Sequence, residues 1–177
     1  SFAAPDPSGG AGLQAALLTI SSMGCHPLSV VTAITVQDTS GVDDVLPIDP
    51  EWVVDQARAM LEDVPVAAFK IGLLGSVENI AAIAEVLADY PDIPLVSYLP
   101  NLSWGEEEEQ QSYLESFREL VLPQTEVLVG SHQTLTDFLL PDWDSERPAS
   151  PRELAVAAAE HGTRFVLVTG VVLPNTK

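Results

Sequence analysis

The chain is poor in bases. Its 177 residues carry 7 Lys and Arg against 26 Asp and Glu, a formal net charge of −19, and lysine occurs only as Lys70 and Lys177. Nucleic acid and anionic membranes are held by basic faces, so this balance excludes both as partners. A phosphate on a substrate would have to be held locally, by backbone N–H groups or a metal. A single cysteine, Cys25, excludes an intramolecular disulfide and a cysteine-based zinc cluster. It fits a reducing compartment, and the expected location is the cytoplasm. Cys25 follows Gly24 at a helix end and reads as a small packing residue. No apolar run approaches the ~20 residues of a membrane span, and no basic segment followed by an apolar one marks a signal peptide.

What is present is the composition of a folded globule. Hydrophobic residues make up 46% and charged residues 19%, which argues against disorder. No linker or internal repeat divides the chain, so residues 1–177 read as a single domain. Phe2-Ala3-Ala4 is shorter than the strand expected before the turn that follows, so the chain reads as beginning part-way into the protein. The acidic surface has two explanations, solubility or a source of high internal salt where screening tolerates such charge.

Helical and extended patterns alternate. Leu13, Leu17 and Ile20 give residues 11–23 one apolar helical face, ended by Gly24. Residues 28–36 are nearly continuous and β-branched, as in a buried strand. Asp49-Pro50 places an N-cap before proline at the first helical position. Residues 66–71 read as strand, Ser76 caps a helix ending before Pro91, 94–99 reads as strand, and 107–121 as helix with Leu114, Phe117 and Val121 inward. A short strand at 126–129, a brief helix over 131–140, a capping box at Ser150–Glu153 and a strand at 164–169 complete the series. This rhythm predicts an α/β three-layer domain, a largely parallel sheet with helices on both faces. Ligands of such sheets bind outside the carboxyl ends of the strands. The glycine turn at 9–12, Gln37-Asp38-Thr39, Gly72-Leu73-Leu74 and Gly170 all follow expected strands, and so converge on that edge.

The segment Asp6-Pro7-Ser8-Gly9-Gly10-Ala11-Gly12-Leu13-Gln14-Ala15 is the most informative. Three glycines open directly into a helix, which aims unpaired N–H groups and partial positive charge at the turn. A small polar or anionic ligand suits that place, and so does a tight turn with no ligand. Gln37 offers a donor and an acceptor together, which complements a ring nitrogen beside an exocyclic amine; it can equally cap the sheet end.

This block, followed by Ser29–Thr39 and by Phe69-Lys70-Ile71-Gly72-Leu73-Leu74-Gly75, resembles the hydroxymethylpyrimidine/phosphomethylpyrimidine kinases of thiamine biosynthesis, in the ribokinase-like superfamily. The resemblance is dense over residues 1–97 and weaker from Tyr98 onward. It implies a kinase that phosphorylates hydroxymethylpyrimidine or its monophosphate using ATP and Mg2+. It implies a substrate site of Asp6, Gly10, Ala11, Gly12, Gln37 and Leu73, with Gln37 reading the aminopyrimidine edge and Leu73 standing where the family carries a methionine against the ring. Thr169 and Gly170 stand at the family's nucleotide side. A homodimer is left open.

The departures fall mostly on the donor side. Ala16 stands where the family has an aspartate, and Leu99-Pro100 where it has aspartate-proline. Gly130-Ser131-His132-Gln133-Thr134-Leu135 lies opposite its Thr-Pro-Asn-x-x-Glu, and Thr169-Gly170-Val171 opposite its Lys-Gly-Gly. The family's Gly-Thr-Gly-Cys anion loop has no counterpart here, so the chain reads as lacking a C-terminal portion. The alternative function is a non-enzymatic homologue that binds an aminopyrimidine-type ring; a kinase for another hydroxymethyl heterocycle is a third. No catalytic residue is nameable: His26, His132 and His161 have surface or helix-end explanations. Glu106–Glu109 suits a helix start better than a metal site. Lys70 could pair with a phosphate or with one of the many acids.

Overall fold

The computed structural model describes residues 1–171. Eight strands and six α-helices follow the chain in the order β1 (Phe2–Ala3), α1 (Gly12–Ser22), β2 (Val30–Val31), β3 (Ala33–Gln37), β4 (Val42–Pro47), α2 (Pro50–Asp63), β5 (Phe69–Ile71), α3 (Val77–Ala88), β6 (Leu95–Tyr98), α4 (Glu107–Ser116), β7 (Val127–Ser131), α5 (His132–Leu139), α6 (Pro151–Glu160) and β8 (Phe165–Thr169). Six strands form one sheet in the order β2-β1-β5-β6-β7-β8, and every pair in it is parallel. The chain leaves β1 through α1 to reach β2 on one side, then returns to β5 on the other. The order therefore reverses between β1 and β5, which is where open α/β sheets bind ligands. With the right-handed crossovers usual for parallel strands, this reversal assigns α1 to one face of the sheet and α3, which packs on α4, to the other.

Local chemistry sets the helix starts. Asp49 accepts from the Glu51 N–H at 2.9 Å, and the Ser76 hydroxyl from the Asn79 N–H at 3.2 Å. Ser150 accepts from Glu153 N–H at 3.3 Å while the Glu153 carboxylate accepts from Ser150 N–H at 2.8 Å, the reciprocal box expected. The core runs from Phe2 and Phe69 through Ile71, Ile80 and Ile83 to Phe117, Leu128 and Phe138. Val96, Tyr98, Val129 and Leu167 share the opposite sheet face by register, and Tyr98 and Leu167 are exposed there.

The structure corrects three expectations. Residues 28–36 are not one strand: β2 stops at Val31, and Ala33–Gln37 pairs antiparallel with β4 as a separate hairpin. The break falls at Thr32, whose N–H donates to Ala3 at 3.3 Å while its hydroxyl donates to the Leu73 carbonyl at 2.7 Å. The helix expected over 107–121 is α-helical only to Ser116; a π-helical turn spans Phe117–Val121 and a 3-10 turn Leu122–Gln124. Tyr113 is buried there with Phe117 and Val121, and Leu114, partly buried, packs against the same core. Cys25 is exposed rather than a core packing residue, and follows Gly24, which ends α1 at φ +79°.

Candidate small-molecule site

The glycine turn is organised by Asp6. Its side chain is buried, and it accepts from the Ser8 N–H at 2.8 Å, the Ser8 hydroxyl at 2.9 Å and the Ala11 N–H at 2.8 Å. Burial alone would raise its pKa; the hydrogen bonds from Ser8 and Ala11 outweigh it and hold the carboxyl below its ordinary value. Both oxygens are thus spent inside the loop, so Asp6 shapes the turn rather than presenting a free charge. Gln14 completes the brace, its Oε1 accepting from the Asp6 N–H at 2.7 Å.

The glycines differ in what they contribute. Gly12 has φ +59°, and a Cβ there would stand 2.6 Å from the Ala4 carbonyl oxygen and 2.8 Å from the Asp6 nitrogen. Gly10 has ordinary φ and no neighbour nearer than 3.6 Å. Gly12 is therefore required by the fold, whereas a side chain at Gly10 would meet only ordinary contacts with Ser8 and Asp6. Ala11 caps α1 without a side-chain oxygen; the Leu13 N–H donates to the Ala4 carbonyl at 3.0 Å, which leaves the Gly12 and Gln14 N–H groups of the first turn for other partners.

Leu73 ties the turn to the rest of the edge. Its carbonyl accepts from Ala4 N–H at 2.9 Å and from the Thr32 hydroxyl at 2.7 Å. Three segments, those after β1, β2 and β5, thus meet at one oxygen. The Leu74 N–H donates to the hydroxyl of buried Tyr113 at 3.0 Å, and burial pushes the Tyr113 pKa up, keeping it neutral. The hairpin is fixed by the Thr35 hydroxyl, which donates to the Pro5 carbonyl at 2.7 Å. Gln37 ends β3 opposite Val42, and the register shifts between Val36 and Gln37. Such a bulge re-aims a side chain and is common beside active sites. Asp6, Ala11, Gly12 and Leu73 are thereby brought to the β1/β5 switch point, with Gln37 on the hairpin anchored there rather than on a strand of the main sheet.

The donor-side residues do not join this ring. Gly170 follows β8, at the far end of the sheet, and Thr169 spends its hydroxyl on the Gly130 carbonyl at 3.2 Å. Ser131 caps α5, the His132 Nε2 pairs with the Ala149 carbonyl at 2.6 Å, and Leu99 and Leu135 are core. No group of three or more His, Cys, Asp or Glu able to hold a metal exists among the described residues. Glu106–Glu109 forms the start of α4, with Glu109 accepting from the Glu106 N–H at 3.3 Å. Lys70 makes no ion pair among the described residues, and burial lowers its pKa. Thr35, Tyr113, Thr32 and Gln14 were not singled out by sequence reasoning; their partners lie 30, 39, 41 and 8 residues away.

A parallel sheet whose strand order reverses between β1 and β5, a glycine turn opening into α1, and a hairpin laid against that turn define the ribokinase-like α/β class. Within that class the chain belongs to the phosphomethylpyrimidine kinase family, whose model matches residues 6–177. It is 33% identical over 168 residues to the hydroxymethylpyrimidine/phosphomethylpyrimidine kinase of Streptomyces coelicolor, covering 95% of this chain and 62% of that protein. It is 31% identical over 173 residues to the Haemophilus influenzae protein of the same name, covering 96% and 62%. The crystal structure of phosphomethylpyrimidine kinase from Clostridium difficile superimposes with a TM-score of 0.83 at 29% identity, covering 94% of this chain and 74% of that one. The chain thus spans under two thirds of the length of these two curated relatives.

Proposed function

We propose that this chain supplies the acceptor half of a kinase that phosphorylates hydroxymethylpyrimidine or its monophosphate with ATP in thiamine biosynthesis. The observation that carries the reading is the meeting of the glycine turn, the Leu73 carbonyl and the Gln37 hairpin at the β1/β5 switch point. Leu73 would cover the flat ring, Gln37 would read its amino edge, and the turn would hold the hydroxymethyl side close to backbone donors. ATP is the phosphoryl donor on family grounds. Mg2+ stands on those grounds alone, and no step is routed through it. Self-association is supported by Ile34 and Leu46, opposite each other on the hairpin and both exposed. The alternative of a non-enzymatic ring-binding protein gains no support from the fold or the relatives.

Phosphoryl transfer depends on positioning and charge stabilisation. With Leu99, His132 and Leu135 committed to core and local bonds, turnover by this chain is expected to be slow. The test pairs hydroxymethylpyrimidine binding with ATP-dependent formation of its phosphate ester on the same protein. Binding together with ester above the uncatalysed background supports the proposal; absence of both overturns it.

A further inference from the structure

One buried amide holds together the chain ends that frame the site. Asn79 lies in the first turn of α3 and is fully buried. Its Nδ2 lies 2.9 Å from the Thr32 carbonyl oxygen, 3.0 Å from that of Ile48 and 3.1 Å from that of Leu74, so its two N–H groups are shared among three acceptors. Thr32 and Ile48 are the two roots of the β3–β4 hairpin, and the Ile48 N–H donates to the same Thr32 carbonyl at 3.0 Å. Leu74 directly follows Leu73. The joint is close-packed: at Gly75, φ +90°, a Cβ would stand 2.8 Å from that of Ala33.

The Asn79 Oδ1 has no hydrogen-bond partner. An unpaired buried acceptor is destabilising. Turning the amide over would aim that oxygen at three carbonyls, so the orientation is fixed by the network. A leucine of similar size would carry no unpaired acceptor, so what the asparagine adds here is the three-way tie.

We propose that Asn79 is a positioning residue of the site: it fixes the hairpin bearing Gln37 against the β5 end bearing Leu73, and so sets the spacing between the residue that reads the ring edge and the one that covers the ring. The inference rests on the ring-binding reading above for its functional part, but the tie itself is testable without ligand. Asn79→Leu and Asn79→Ser remove the tie with different packing consequences, so one serves if the other fails to fold.

Amide hydrogen exchange is measured across the protein. Exchange in residues 42–46 is expected to quicken by roughly tenfold in the variants, the loss of about one net hydrogen bond's worth of local stability, while β6 and β7 are unchanged. Calorimetry with hydroxymethylpyrimidine is then run on wild type, Asn79→Leu, Gln37→Ala and the double variant. Asn79→Leu is expected to weaken binding about tenfold alone and far less in the Gln37→Ala background, because groups acting through one another are not additive. Uniform exchange changes, or equal losses with and without Gln37, would overturn the inference. If wild type binds no ring, the functional reading fails, and hairpin-selective exchange alone decides the tie.

Discussion

The Thr35 hydroxyl donates to the Pro5 carbonyl at 2.7 Å and so fastens the hairpin to the chain just before the glycine turn. Thr35 is buried on a strand whose flanking residues Ile34 and Val36 are exposed, the reverse of the usual polar-out pattern. The hydroxyl is inward because its partner is there. Thr35→Val keeps the shape and strands a backbone acceptor. It should lower stability by about 1–2 kcal/mol and weaken ring binding several-fold. Denaturant unfolding and calorimetry measure the two effects.

Gly12 and Gly10 separate conformation from composition. Gly12→Ala forces a side chain into a φ of +59° and to 2.6 Å from the Ala4 oxygen. A stability loss above roughly 2 kcal/mol is expected, with loss of ring binding. Gly10→Ala meets nothing nearer than 3.6 Å and should stay within about 0.5 kcal/mol of wild type. Equal effects at both positions would show that the turn is not held as described.

What was legible in the sequence was local. Asp49, Ser76 and Ser150 cap as expected because a cap needs only a side chain and an N–H two or three residues on. The glycine turn and the strand ends at Leu73 and Gly170 were legible for the same reason. The split of residues 28–36 was not, because it is set by Thr32 bonding a carbonyl 41 residues away and by Asn79 bonding one 47 residues back. Strand β4 carries two aspartates and a proline, a poor strand composition, and forms because β3 pairs with it. Tyr113 reads from sequence as an ordinary helix residue; only its bond to Leu74 marks it as part of the edge.

Acid should expose the Glu153 bridge. The Arg147 guanidinium, with the N–H and hydroxyl of Ser150, holds the Glu153 carboxyl at about 2, against an ordinary 4.5. A carboxyl depressed in the folded state stabilises fully above its unfolded pKa, and that contribution is lost as pH falls from 4.5 toward about 2. The difference in Tm between wild type and Glu153→Gln should therefore be widest near neutral pH and close over that window. A difference that stays constant down to about pH 3 would contradict the coupling.

Salt should stabilise the fold. The chain carries a net charge of −19, and among the described residues only three ion pairs, Arg58–Asp89, Arg147–Glu153 and Arg164–Glu126, offset it. Self-repulsion then opposes compactness until it is screened. Raising salt from about 0.01 M to about 1 M shortens the screening length from roughly 30 Å to 3 Å. A Tm gain of about 2–4 °C per kcal/mol of relieved repulsion is expected. A flat or falling Tm would show that the acidic surface is only a solubility feature.

The central claim is that a pyrimidine ring sits between Leu73, Gln37 and the glycine turn. Its most direct measurement is a calorimetric titration of this chain with hydroxymethylpyrimidine, alongside Gln37→Ala and, as a control, Val156→Ala at an exposed position of α6. One saturable site per chain is expected, weakened about tenfold or more by Gln37→Ala, the loss of an edge-on pair of hydrogen bonds, and unchanged by Val156→Ala. No binding, or binding indifferent to Gln37, would contradict it.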